Sequence, residues 1–287
     1  MKKFIVIDSL ARSGTTLLAS LMRSQHKSAI FCPGFNESLC VKGLENLVWA
    51  NGYARHPILP KNSDININKY KKNSLNLIKK FNQLYGKPIE DYEKIIKEGK
   101  TPTEIITNIS NFLNVDILGF RWNQGLLYFN NWMVSPNRYW VTIIRNPLDR
   151  AISSHKKHSS PYEDSLKNCI KYTKNLEKIK NNDNFILIYY EDLVKNPEKT
   201  LRYIYEKMSV TLPQIETENI YGSNNKIFIP QRSEMKTEKK DGYHVGKKYN
   251  GIYNDKVNIY QNKMSQKYID KFKDSLSFSE IYGYYNL

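Results

Sequence analysis

Cysteine is scarce in this sequence. There are three, Cys32, Cys40 and Cys169, an odd number with no CxxC pair among them. Such a set argues against a disulfide framework and against a structural zinc site. It fits a reducing compartment, so a cytoplasmic protein is expected. Long apolar runs are missing too. The run Phe4-Ile-Val-Ile7 stops at Asp8 and is too short for the apolar region of a signal peptide. No other stretch approaches the roughly 18 consecutive apolar residues of a membrane span. Acidic residues are under-represented, 28 Asp and Glu against 44 Lys and Arg, for a formal net charge of +16. That balance points to anionic partners, or to a solvated lysine-rich surface of the kind that Lys69, Lys71, Lys72, Lys79 and Lys80 form in a polar stretch. Internal repeats are absent, as are RRM, helix-turn-helix and zinc-finger patterns. The basic residues are scattered, and nucleic acid is not an expected partner. No cluster of metal-ligand residues is visible, and no metal is expected.

What is present reads as a globular chain. Its 287 residues, 40% of them hydrophobic, are enough for one large domain. The 13% aromatic share, mostly 21 Tyr, goes with a general bias toward Lys, Asn, Ile and Tyr and carries no functional message. Short apolar runs at 3–8, 116–120, 139–144 and 185–189 read as interior strands. Helical signals lie between them. Leu17, Leu18, Leu21 and Met22 have helical spacing over 15–25. Thr101-Pro-Thr-Glu104 gives an N-cap, a proline at the first helical position and a Glu at the third. Asn146-Pro147 and Asn196-Pro197 each read as a capping Asn followed by proline at the first helical position. Alternating strands and helices predict an α/β fold, a central parallel β-sheet flanked by helices. The expected organisation is a single domain over 1–287, with a mostly helical insertion at about 55–114 and a loop at about 222–256 that covers a ligand.

The first strand, a tight turn and the first helix make an anion site. Ser13, Gly14, Thr15 and Thr16 stand at the helix start, where unpaired N–H groups and the helix dipole face a ligand. Gly14 permits a close approach of backbone, and Arg12 adds a charged fork. Set against the GxxxxGK[ST] pattern of nucleoside triphosphatases, Ser9 stands at the first glycine, Gly14 at the second and Thr16 at the hydroxyl position. Thr15 takes the lysine position. That lysine reaches the β- and γ-phosphates of a triphosphate, so its absence argues against ATP or GTP chemistry.

The segment Ala11-Arg-Ser-Gly-Thr-Thr-Leu-Leu18 resembles the 5′-phosphosulfate-binding loop of the PAPS-dependent sulfotransferases (PAPS, 3′-phosphoadenosine 5′-phosphosulfate), in the form RSGTT met in the carbohydrate and bacterial branches. Ile143-Ile-Arg-Asn-Pro-Leu-Asp-Arg-Ala-Ile-Ser-Ser154 resembles that family's 3′-phosphate segment, with Arg145 at a strand end and Ser153 eight positions on. The alternative for Arg145 is an ion pair with Asp149. Phe185-Ile-Leu-Ile-Tyr-Tyr-Glu-Asp-Leu193 resembles the family's later strand, which implies that Tyr190 contacts adenine; packing in the core is the alternative. His244-Val-Gly-Lys-Lys-Tyr249 resembles the loop that closes over the 3′-phosphate, which makes Lys247 and Lys248 candidate contacts. Leu118-Gly-Phe-Arg121 matches a strand-end GxK motif, with Arg in place of Lys.

The resemblance implies a P-loop-like sulfotransferase fold, PAPS as donor, adenosine 3′,5′-bisphosphate as product, and an acceptor hydroxyl, a carbohydrate or glycan being favoured. The reaction needs a base for the acceptor proton and a cationic partner for charge developing on the leaving phosphate. Arg12 and the loop amides suit the second role. For the first, Glu37 matches the family's glutamate in kind and rough position, and His155, beside the cofactor helix, competes. Other readings of the sequence are a P-loop nucleotide kinase and a non-enzymatic polyanion-binding protein.

Overall fold

The computed structural model describes residues 2–23, 25, 27–31, 66–80, 84–121, 137–211 and 257–285. Five strands among them form one sheet: β1 (Lys3–Asp8), β2 (Ser28–Phe31), β3 (Ile117–Arg121), β4 (Arg138–Ile144) and β5 (Phe185–Tyr189). Their order is β2-β3-β1-β4-β5 and every pairing is parallel. The predicted α/β class is the observed one.

Both faces of the sheet are covered, which is why its strands are apolar without alternation. On one face, Ile5, Ile7, Val141, Ile143, Ile186 and Ile188 pack with Leu18, Leu21 and Met22 of α1 (Thr15–Arg23) and Leu201, Ile204 and Tyr205 of α8 (Pro197–Lys207). On the other, Val6, Leu118, Phe120, Trp140 and Ile144 meet residues of several helices. These are α2 (Ile67–Lys80), α3 (Ile89–Glu98), α4 (Pro102–Phe112), α5 (Pro147–His158), α6 (Tyr162–Leu176) and α9 (Gln266–Leu276). Two short helices, α7 (Tyr190–Lys195) and α10 (Glu280–Gly283), complete the set. The outer side of β2 is closed by Tyr85, whose hydroxyl accepts from Ile30 N and donates to Ile30 O, each at 2.7 Å.

The local stop and start signals act mostly as the sequence implies. Thr101 Oγ1 accepts from Glu104 N at 3.1 Å, and Glu104 Oε2 accepts from Lys100 N at 2.9 Å. Asn146 Oδ1 accepts from Leu148 N at 3.0 Å and Asp149 N at 3.4 Å, with Pro147 starting α5. Asn196 differs. It precedes Pro197 at the start of α8, but its side chain makes no capping bond. The same residue ends α7, where its N–H bonds Asp192 O at 2.7 Å, and that double duty fixes its backbone at φ −138° and ψ 69°. Among the described residues no helix is long and apolar enough to cross a membrane. Glu37, Lys247, Lys248, Cys32, Cys40 and the whole 222–256 stretch lie outside the described residues.

The sheet order bears on where a candidate site would lie. From β1 the chain crosses to β2 on one side, while β4 and β5 extend the sheet on the other. The carboxyl ends of β1 and β4 therefore flank a topological switch point, where open α/β sheets place their ligands.

Candidate active site

Residues 9–14 leave β1 and lead into α1. Ser9, at the position of the first glycine in the triphosphatase pattern, donates its hydroxyl to Ile143 O and so ties the turn to β4. Arg12 has φ 74° and Gly14 φ 99°, two left-handed residues separated by Ser13. Leu18 N donates to Gly14 O at 3.1 Å, which closes the first turn of α1 with no acidic residue in it. The turn thus presents amide groups at a helix N-terminus of positive potential. Ser13 and Thr15 are buried, whereas Thr16 Oγ1 accepts from Arg121 Nη1 at 2.6 Å. Among the described residues the buried Arg121 Nε has no hydrogen-bond partner.

A set of arginines surrounds this turn. Arg12 Nε donates to Ser153 Oγ at 3.1 Å, which joins the loop to the second turn of α5. Arg145, 6% exposed, donates from Nη1 to Arg12 O at 3.2 Å. Arg150 Nη1 lies 3.5 Å from Ala11 O, and its Nη2 donates to Ser165 O at 2.7 Å. Two adjacent carbonyls of the turn, Ala11 O and Arg12 O, thus meet guanidinium groups. The carboxylate of the alternative reading for Arg145 has other partners, since Asp149 accepts from Asn258 N at 2.6 Å and Tyr260 N at 2.9 Å. Burial raises the Asp149 pKa; these backbone donors and the Arg145 charge oppose the rise.

Tyr190 touches both halves of the site. The Arg145 guanidinium sits 4.6 Å from its ring centroid, and a Cβ added at Gly14 would fall 2.5 Å from its Cδ2. The ring also packs at the margin of the core, so contact with the site and core packing coexist. The next residue, Glu191, accepts from Asn146 N at 3.1 Å and from the Tyr285 hydroxyl at 2.7 Å. Burial raises its pKa, against the pull of those two donors and of Arg145. Beyond Ser153, the pKa of His158 is lowered by burial and then by the charges of Arg12 and Lys157, so this rim of the site is cationic.

The structure therefore brings Arg12, Ser13, Gly14, Thr15, Thr16, Arg145, Ser153 and Tyr190 around one turn. His155 is exposed, with Nδ1 2.9 Å from Ser160 O and its ring against Tyr162, at the far end of α5. Sequence reasoning missed Arg150, the Glu191–Tyr285 pair and the Asp149 anchor. Among the described residues no group of three or more His, Cys, Asp or Glu could hold a metal ion.

Residues 132–214 match the model of a family described as the sulfotransferase family. That span contains Arg145, Ser153, Tyr190 and Glu191. No curated protein gives a significant match. Among solved structures, the sulfotransferase domain from the curacin biosynthetic pathway superposes with a TM-score of 0.60 at 14% identity, over 96% of this chain and 98% of that one. Retinol dehydratase in a complex with retinol and PAP gives a TM-score of 0.50 at 13% identity, over 98% of this chain and 83% of that one. The matched segment is thus similar to the sulfotransferase family, and the chain as a whole shares the fold of these solved structures.

Proposed function

We propose that this protein transfers a sulfuryl group from PAPS to an acceptor hydroxyl. The observation that carries the reading is the convergence of the turn after β1 with the Arg145 turn after β4, linked by Arg12–Ser153 and Arg145–Arg12 O. Two phosphate-binding elements side by side suit a donor with phosphates at both its 5′ and 3′ positions. The retinol dehydratase complex, with PAP and an alcohol bound together, supports the same pairing of ligands. The RSGTT form of the loop supports a carbohydrate or glycan as acceptor, and the three cysteines support a cytoplasmic setting.

In this reaction the acceptor oxygen attacks sulfur in line with the bridging oxygen. The new S–O bond forms as the old one breaks, and the electron pair leaves on the phosphate oxygen of adenosine 3′,5′-bisphosphate. Arg12 and the amides at the start of α1 stabilise that charge. Arg145 and Ser153 hold the 3′-phosphate, Arg145 as a permanent cation. Tyr190 offers its ring to the adenine, and Lys247 and Lys248 complete the donor site. Glu37 takes the acceptor proton. The deciding experiment is thermal shift. The bisphosphate raises the melting temperature, and ATP with magnesium does so weakly or not at all. Stabilisation by ATP without a response to the bisphosphate would favour the nucleotide-kinase reading instead.

A further inference from the structure

The last described residues of the chain lie against the Arg145 turn. Tyr285 OH is 2.7 Å from Glu191 Oε2 and 3.4 Å from Ile144 O. Glu191 Oε1 accepts from Asn146 N at 3.1 Å. Glu191 therefore binds the peptide that follows Arg145, and the phenol that donates to Glu191 lies beside the carbonyl of the peptide that precedes it. The pair is itself held in place. Tyr285 packs edge-on against Tyr189 at 5.7 Å and Tyr284 at 4.9 Å, and Tyr189 stacks on Tyr284 at 3.8 Å. Tyr284 OH donates to Asp192 Oδ1 at 2.8 Å, and Tyr189 OH donates to Ile281 O at 3.1 Å.

Ordering any segment is opposed by conformational entropy, so contacts have to hold it in place. Here three phenol hydroxyls and a nest of rings order residues 281–285 against 189–192. Of these contacts, only those of Tyr285 and Glu191 reach the backbone at Arg145. A buried arginine that must meet a phosphate needs its Cα fixed, since the fork of a guanidinium rewards alignment.

We propose that Tyr285 and Glu191 are positioning residues for the nucleotide 3′-phosphate, aligning Arg145 through the peptide that follows it. This rests on the reading of Arg145 as a 3′-phosphate ligand. Neither residue touches the nucleotide in this role.

The test compares adenosine 3′,5′-bisphosphate with adenosine 5′-monophosphate, which lacks the 3′-phosphate, by calorimetry on the full chain. Arg145→Ala sets the floor, where the preference for the bisphosphate is lost. Tyr285→Phe retains the rings and removes the hydroxyl. It should lower bisphosphate affinity about fivefold to tenfold, the order of one hydrogen bond, and leave the monophosphate within about twofold. Glu191→Gln should act in the same direction. Tyr284→Phe, which removes a bond of the same segment that does not reach Arg145, should leave the preference intact. Unchanged preference in both Tyr285→Phe and Glu191→Gln, or equal weakening of the two nucleotides, overturns the inference while the role of Arg145 stands. A wild-type protein with no preference for the bisphosphate overturns that role, and the inference with it. If Tyr285→Phe fails to fold, Glu191→Gln alone decides.

Discussion

Gly14→Ala tests whether the turn after β1 and the Tyr190 ring form one packed unit. The alanine meets two penalties. Gly14 has φ 99°, where an L side chain is strained by roughly 1–2 kcal/mol. Its new Cβ would also lie 2.5 Å from Tyr190 Cδ2 and 2.9 Å from Cε2, well inside van der Waals contact. The ring has to shift by about 1 Å to restore contact distance, and it then leaves the Arg145 guanidinium, whose attraction is about 0.5–2 kcal/mol. The total of about 1.5–4 kcal/mol corresponds to a fall in melting temperature of roughly 3–7 °C for a chain of this size. A double-mutant cycle separates the parts. In a Tyr190→Ala background the ring is gone, and Gly14→Ala should cost the backbone strain and a small adjustment of Ile143, whose Cδ1 lies 3.3 Å from the new Cβ, about half its value in the wild type. The assay is denaturant unfolding of the four proteins, with bisphosphate affinity measured on each. If Gly14→Ala costs the same in both backgrounds, the ring does not press on the turn and the packing argument fails.

Other outcomes follow from the two carboxylates with assigned roles. Burial raises the Glu191 pKa above its ordinary 4.5, so the folded state retains a proton that the unfolded chain has lost. Stability from this group is then lost as pH rises from the unfolded value through the raised folded one. Glu191→Gln does not titrate, so its melting temperature should gain on the wild type across that window and run parallel above it. Curves that are parallel throughout, or that diverge the other way, refute the shift. Glu37→Gln should lower single-turnover transfer from saturating PAPS by roughly 10²–10⁴ and leave bisphosphate affinity unchanged. His155→Asn should instead disturb donor affinity or stability. A wild-type transfer rate in Glu37→Gln, with His155→Asn inactive at normal donor affinity, would reverse the two assignments.

The parts of the fold legible in the sequence are those encoded by neighbours along the chain. Runs such as Phe4–Ile7 and Tyr139–Ile144 announce strands because an interior parallel strand is apolar on both faces. Thr101 and Asn146 announce helix starts because a cap is a contact over two or three residues. The Asn196 side chain misled for the same local reason. Nothing near it in sequence says that α7 ends on the residue from which α8 begins. That Arg12, Gly14, Arg145 and Tyr190 come together was legible, since each stands beyond the carboxyl end of a strand. Tyr285 was not, because it meets Glu191 across 94 positions of sequence, and no pattern in either segment encodes the other.

The segment Arg145-Asn-Pro-Leu-Asp149-Arg150 shows how three-dimensional context redirects a local reading. In sequence, Arg145 and Asp149 are natural partners at helical spacing. In the structure Asp149 binds the N–H groups of Asn258 and Tyr260, where the chain returns from its C-terminal stretch to pack on α5. It is the buried Asp149 carboxylate that gains from these two part-buried bonds, because a buried charge without hydrogen bonds is costly. One carboxylate meets both, and it still lends its field to Arg145 without claiming the direction of the guanidinium. Arg145 turns back to Arg12 O, and Arg150 lies near Ala11 O. With those carbonyls engaged by guanidinium groups, the turn that leads into α1 is tied to α5 and to the end of β4. The helix that supplies Ser153 therefore also shapes the turn that Arg12 belongs to.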